Sequence, residues 1–114
     1  MRSSVAAAYL ILDLIVLTDA TLARLDGRSL DADEDAQDAV AFRLLHIGEA
    51  VKSLDEEARG SSSEIAWERA VAMRHRLAHD YLGVDASILW DTAIRQLPPL
   101  AAACHAIIAE SEQS

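Results

Sequence analysis

The chain has 114 residues, a formal net charge of −9 and one cysteine. That length supports one hydrophobic core rather than two. A lone Cys104 excludes an internal disulfide, and the charge excludes a general nucleic-acid binder, whose affinity rests on many phosphate contacts. Alanine occurs 22 times while Gly and Pro together number six, and no stretch alternates in the β manner. The expectation is an all-α protein with a single domain over residues 1–114.

The first helix is expected from about Val5 to Leu25, where Asp26-Gly27 gives a stop signal. Its apolar run 5-VAAAYLILDLIVL-17 is too short to span a bilayer, which takes about 20 residues, and Asp13 interrupts it. The expectation is a soluble, cytoplasmic chain with no membrane span. That run is apolar around nearly the whole circumference, and one face suffices for the core. A second copy of the chain is the expected cover for the remainder, the alternative being a helix buried centrally in its own bundle.

The second helix is expected from about Asp31 to Glu57, capped by Asp31 or Asp33. The acids of 31-DADEDAQD-38 suit the positive end of the helix dipole and read as structural rather than metal-binding. Val40, Leu44, Ile47, Val51 and Leu54 form its apolar stripe. Beside the stripe stand His46 and Glu49, and Gly48 allows a close helix crossing.

Residues 58-ARGSSSE-64 read as a loop closing in a capping box, Ser61 with Glu64. The third helix is expected from Glu64 to Tyr81 or Leu82, stopped by Gly83. Asp85 caps the fourth, which starts near Ala86. The prolines of 97-LPPL-100 are expected to break or kink it before it resumes to about Ala109. The result is an antiparallel, up-down four-helix bundle with its last helix split at Pro-Pro. Cys104, inside 101-AAACHAII-108, reads as a small core residue in a reducing compartment.

The stretch 73-MRHRLAHDYLGVD-85 stands out. Residues 69 to 79 hold Arg69, Arg74, Arg76, His75 and His79 with no acid, inside an acidic chain. Trp67, Ala70, Val71, Arg74, Ala78 and Tyr81 share a helical stripe, so Arg74 interrupts an apolar face and needs a carboxylate, a phosphate or a wet cleft. His79 lies near the helix's C-terminal end, where the dipole favours positive charge. If the helix unwinds near Gly83, Arg74, His79 and Tyr81 look into one cleft.

The spacing Arg-x-x-x-x-His-x-Tyr resembles the signature of the HEPN superfamily, and with its tyrosine is similar to the HepT toxins. The segment 47-IGEA-50, the run 65-IAWERAVAMRHRLAHDYLGVD-85, Trp90 and 97-LPPL-100 carry the resemblance in order, over roughly residues 40 to 108. The position after the arginine, commonly Asn in that family, is His75 here. The resemblance implies a HEPN-like helical fold and a metal-independent endoribonuclease, with no cofactor. Arg74 and His79 are the catalytic pair, and His75, Arg76 and Tyr81 support or position substrate.

The chemistry suits those groups. RNA supplies its own nucleophile, the 2′-OH, and cleavage needs a base, an acid for the departing 5′-oxygen and positive charge for the phosphorane. Histidine suits proton transfer near neutral pH, and arginine offers a bidentate fork to phosphate. One histidine cannot easily serve as both acid and base, so a symmetric homodimer, or a higher even oligomer, that joins two motifs in one cleft would help. The resemblance also implies a partner, a minimal nucleotidyltransferase (MNT) antitoxin of a type VII-like pair, able to attach AMP to Tyr81 and silence the toxin.

Two other readings compete. His75 and His79 have the four-residue spacing of a zinc pair, but Asp80 points elsewhere, Cys104 looks buried, and Arg74 and Arg76 repel a cation. A non-catalytic helical dimer that only binds a nucleotidyltransferase fits the acidic net charge, against which stands the intact Arg–His–Tyr trio. His46 and His105 read as structural.

Overall fold

In the computed structural model, which describes residues 2–60 and 64–113, every regular element is helical, as composition implied. The helices are α1 (Arg2–Ala23), α2 (Glu34–Lys52), α3 (Glu56–Arg59), α4 (Glu64–His79), α5 (Ala86–Asp91) and α6 (Leu97–Gln113). Short 3-10 turns occupy 30–32 and 81–83, and a π-helical turn, Thr92–Gln96, joins α5 to α6. Helix α2 is the hub, packing against both α1 and α4, while α1 also packs against α6.

Aspartates start three of the helices. Asp33 accepts from Ala36 N at 2.9 Å, Asp55 from Ala58 N at 2.7 Å and Asp85 from Ile88 N at 3.0 Å. Each satisfies an amide that the first turn leaves without an intrahelical partner. Of the two caps open for α2, Asp33 is the one used. The capping box expected from Ser61 and Glu64 has its first member outside the described residues. At the end of α1 the chain turns through positive φ, 49° at Asp26 and 84° at Gly27, as the Asp-Gly signal implied.

The core gathers Ile11, Val40, Ile47, Val51, Trp67, Leu100 and Cys104, all almost wholly buried. Burial pushes the Cys104 thiol up to about 12, which keeps it protonated. Trp67 sets the entry of α4: its indole N–H donates to the Arg59 carbonyl at 2.8 Å, tying α4 to the end of α3. Removing so large a buried side chain costs about 3–5 kcal/mol. Buried hydroxyls are satisfied locally, as when Thr18 donates back to the Leu14 carbonyl at 2.8 Å.

Four expectations are corrected. The second helix stops at Lys52 rather than near Glu57; the chain turns through Ser53 and Leu54 and restarts as α3 behind the Asp55 cap. Ser4, buried in α1, accepts from the Asp55 amide at 3.1 Å and pins that break. The third helix stops at His79, because Asp80 leaves helical geometry at φ −150°, ψ 63°. Gly83 instead closes the 3-10 turn that follows.

The last helix is not split at its prolines. The irregularity falls just ahead of them, in the π turn, and Pro98 and Pro99 sit in the first turn of α6. A proline ring clashes with the carbonyl four residues before it, and a π turn, with its wider i→i+5 pitch, loosens that position. Finally, α1 is one continuous helix, so it is not too short. By length and composition Ser3–Ala23 is long and apolar enough to cross a membrane, although a third of its most apolar window is buried inside this fold.

Candidate functional site

The site lies where α2 crosses α4. Gly48 is buried there, and a Cβ on it would fall 2.2 Å from Arg74 Cβ and 2.7 Å from the Ala70 carbonyl oxygen. Only glycine lets the two helices approach so closely, which is the close crossing its place in 47-IGEA-50 suggested. The next residue, Glu49, then meets Arg74: its carboxylate pairs with the guanidinium Nε. Arg74 is 27% exposed and Glu49 41%, but the contacting Nε and Oε1 are shielded from water, so the water-facing part of each side chain lies beyond the contact.

Arg74 sits at the rim of the apolar face rather than inside it. Leu77 and Met73 carry the core side of α4 together with Trp67, while Ala78 is exposed. Of the three alternatives open to an arginine there, the rim position supplies a carboxylate and partial access to water.

Past the end of α4, Tyr81 opens the 3-10 turn and donates its hydroxyl to Asp38 of α2. That hydrogen bond, followed by partial burial and the negative field of Asp38, pushes the phenol up to about 12. The phenol is therefore neutral and oriented at neutral pH, with its proton committed to Asp38. The rings of His75 and His79 adjoin one turn apart, centroids 4.3 Å, planes tilted 56°. Arg74, His75, His79 and Tyr81 thus occupy one helix end and its following turn.

Arg76 does not join them. It lines a groove between α4 and α5 with Ser87 and Asp91, and its charge acts on Asp85. Among the described residues no three His, Cys, Asp or Glu side chains are grouped to hold a metal ion. A larger cavity of about 630 Å³, between the end of α1 and α5, is lined by Leu25, Arg28, Asp31 and Trp90 among others, and by none of the motif residues.

Two residues of the site escaped the sequence reading in their roles. By sequence Asp38 reads as one of the capping acids and Glu49 as a residue beside the apolar stripe. The available signal was their register: positions 38, 42, 46 and 49 run down one side of α2, next to the IGEA glycine.

Arg74, His75 and His79 stand in the last turns of α4 and Tyr81 in the turn beyond, with α2 carboxylates on Arg74 and on Tyr81, so the all-helical protein presents one polar, partly exposed helix end. The chain belongs to the Ribonuclease HepT-like family, whose profile matches residues 11–107. It is 38% identical over 68 residues, 60% of this chain and 62% of the relative, to a protein named "Probable ribonuclease HepT" from Thermococcus cleftensis. It is 43% identical over 54 residues to "Putative RNase TTE0752" from Caldanaerobacter subterraneus subsp. tengcongensis, covering 47% of this chain and 48% of the relative. The chain thus spans about half to three-fifths of the length of these relatives. No solved structure matches it.

Proposed function

We propose that this chain is the toxin of a type VII-like HEPN/MNT pair, a metal-independent endoribonuclease of the cytoplasm. Its fold is an up-down, antiparallel four-helix arrangement, and it works as a symmetric dimer or a higher even oligomer. Arg74 binds the scissile phosphate and steadies the phosphorane. His79 moves the proton between the 2′-OH and the leaving 5′-oxygen, with His75 or a second copy's motif sharing the acid and base roles. No cofactor is required. The observation that carries this reading is the partly exposed Arg74–Glu49 pair at the Gly48 crossing, on the same helix as the adjoining rings of His75 and His79. A phosphate arriving there can take the fork of Arg74 from Glu49.

The test is direct. His79→Ala and Arg74→Ala each abolish RNA cleavage while the helical circular-dichroism signal is retained. The wild type leaves 2′,3′-cyclic phosphate ends and is indifferent to EDTA; loss in EDTA with recovery in zinc refutes the metal-free mechanism. A nucleotidyltransferase partner silences the toxin by attaching AMP to Tyr81, so Tyr81→Phe takes no AMP mass from the cognate enzyme and Mg-ATP. One observation favours a second reading, a non-catalytic dimer that only binds the nucleotidyltransferase. Both ends of the motif are already engaged by carboxylates, Arg74 by Glu49 and Tyr81 by Asp38. Wild-type protein that binds the partner and cleaves no RNA selects that reading.

A further inference from the structure

Phe42 of α2 is 62% exposed. Single exposed apolar residues are ordinary, but three features set this one apart. The first is its register. Residues 38, 42 and 49 fall within about 40° of one another around a helix of 3.6 residues per turn. The other two are the carboxylates that hold Tyr81 and Arg74. Phe42 therefore stands between the anchors of the two ends of the motif, about 10 Å along the helix axis from Glu49.

The second is that the ring is backed. His46, one turn on, lies with its centroid 4.4 Å from that of Phe42, at a tilt of 53°. This pair narrows the rotamers open to Phe42, and the two rings make a shallow ledge open to solvent. The third is its surroundings. The continuous uncovered apolar face lies on α1, at Tyr9, Leu10, Val16 and Leu17. Phe42 instead has Asp38, His46 and Glu49 on its own side of α2, with the exposed Tyr81 ring bonded to Asp38 one turn away and the exposed Leu82 next to it in sequence. A protein partner buries contiguous apolar area, whereas a flat partner with a polar edge suits one ring among hydrogen-bonding groups.

We infer that Phe42, backed by His46, is the stacking platform for a nucleobase of a single-stranded RNA substrate, next to the phosphate that Arg74 engages. This rests on the ribonuclease reading above. Unpaired bases are held by stacking on aromatic side chains, and such stacking tolerates any base because every base has a π-face. Phosphates stay on the Arg74–His79 side, while the base turns towards α2, where the carboxylates repel phosphate but accept base N–H groups. Phe42 is thus a positioning residue that aligns the 2′-OH without touching the reacting atoms.

The experiment uses the full chain and a short single-stranded oligoribonucleotide, with steady-state kinetics on wild type, Phe42→Leu and Phe42→Trp. Loss of one stacked base raises KM by about 5- to 150-fold in Phe42→Leu, with kcat changed less than about two-fold, and Phe42→Trp restores KM. Leucine keeps the apolar contact but has no π-face, so a KM in Phe42→Leu equal to that of wild type overturns the platform while leaving the nuclease intact. Sedimentation of the same proteins separates a protein contact. If Phe42→Leu dissociates, and its activity returns on raising protein concentration, Phe42 belongs to an interface and the inference falls. A wild-type chain that cleaves no RNA overturns the ribonuclease reading and the platform together.

Discussion

In Gly48→Ala the added carbon meets backbone and the rigid base of a side chain, so no flexible tip can swing away and α2 must part from α4. Overpacking of this kind costs about 1–3 kcal/mol. Thermal melting should show that loss, and RNA cleavage should fall further than stability, because Glu49 and Arg74 are displaced together. Tyr81 gives a sharper residue-scale test. Its hydroxyl reaches Asp38 across 43 residues of sequence, and its pKa is raised to about 12. An unfolded phenol titrates near 10. The folded state therefore prefers the neutral form: the stability this gives is complete below about pH 10 and is lost as pH rises through about 12. In a Tyr9→Phe background, ultraviolet titration should find the Tyr81 phenolate forming near 12, and Asp38→Ala should bring it down towards 10. No change on removing Asp38 would show that the hydrogen bond does not set the phenol. Arg74, His79 and Tyr81 were legible because their spacing is local to one helix and its turn. Asp38 and Glu49 were not, since the sequence holds 19 acids and only the helix crossing selects these two.

Helix starts were the most readable elements, because an aspartate cap is a local signal and its amide partner lies three residues on. Helix ends were less so. The break after Lys52 depends on Ser4 reaching Asp55 from α1, a contact that local propensity does not encode. Around α4 the apolar stripe implied by the sequence lies about one position off: Leu77 and Met73 face the core and Ala78 does not, which moves Arg74 from the interior to the rim. The prolines raise a prediction of their own. Both are exposed, and the π turn directly ahead of them relieves the clash with the carbonyls four residues back. Pro98→Ala and Pro99→Ala should each shift stability by less than about 1 kcal/mol, acting mainly through the unfolded chain. A drop of several kcal/mol in denaturant titration would mean that the prolines, not the packing of Thr92 and Ala93, maintain the π turn.

Across the whole molecule the unbalanced feature is α1. It packs against α2 and α6, yet Tyr9, Leu10, Val16 and Leu17 remain between 48% and 65% exposed. Their positions, 9, 10, 16 and 17, return to one side of the helix at the 3.6-residue period, so this is a face and not a scatter. The same imbalance was visible in the sequence, where 5-VAAAYLILDLIVL-17 is apolar on all sides; which side stays uncovered was not, since that depends on where α2 and α6 dock. A second copy of the chain is the proposed cover. Val16 is the residue to change, being 65% exposed and touching little of its own core. Val16→Asp places a charge that water solvates freely in a monomer but that an apolar interface must bury unpaired. Sedimentation equilibrium should show the wild type at an even multiple of the 12.4 kDa chain and the variant at the monomer mass. Circular dichroism should remain helical, and RNA cleavage should collapse with the oligomer if the two motifs act in one cleft. A variant that becomes monomeric and still cleaves would assign acid and base to one chain, with His75 as the second imidazole. A wild type that is itself monomeric at all concentrations would remove the shared cleft altogether.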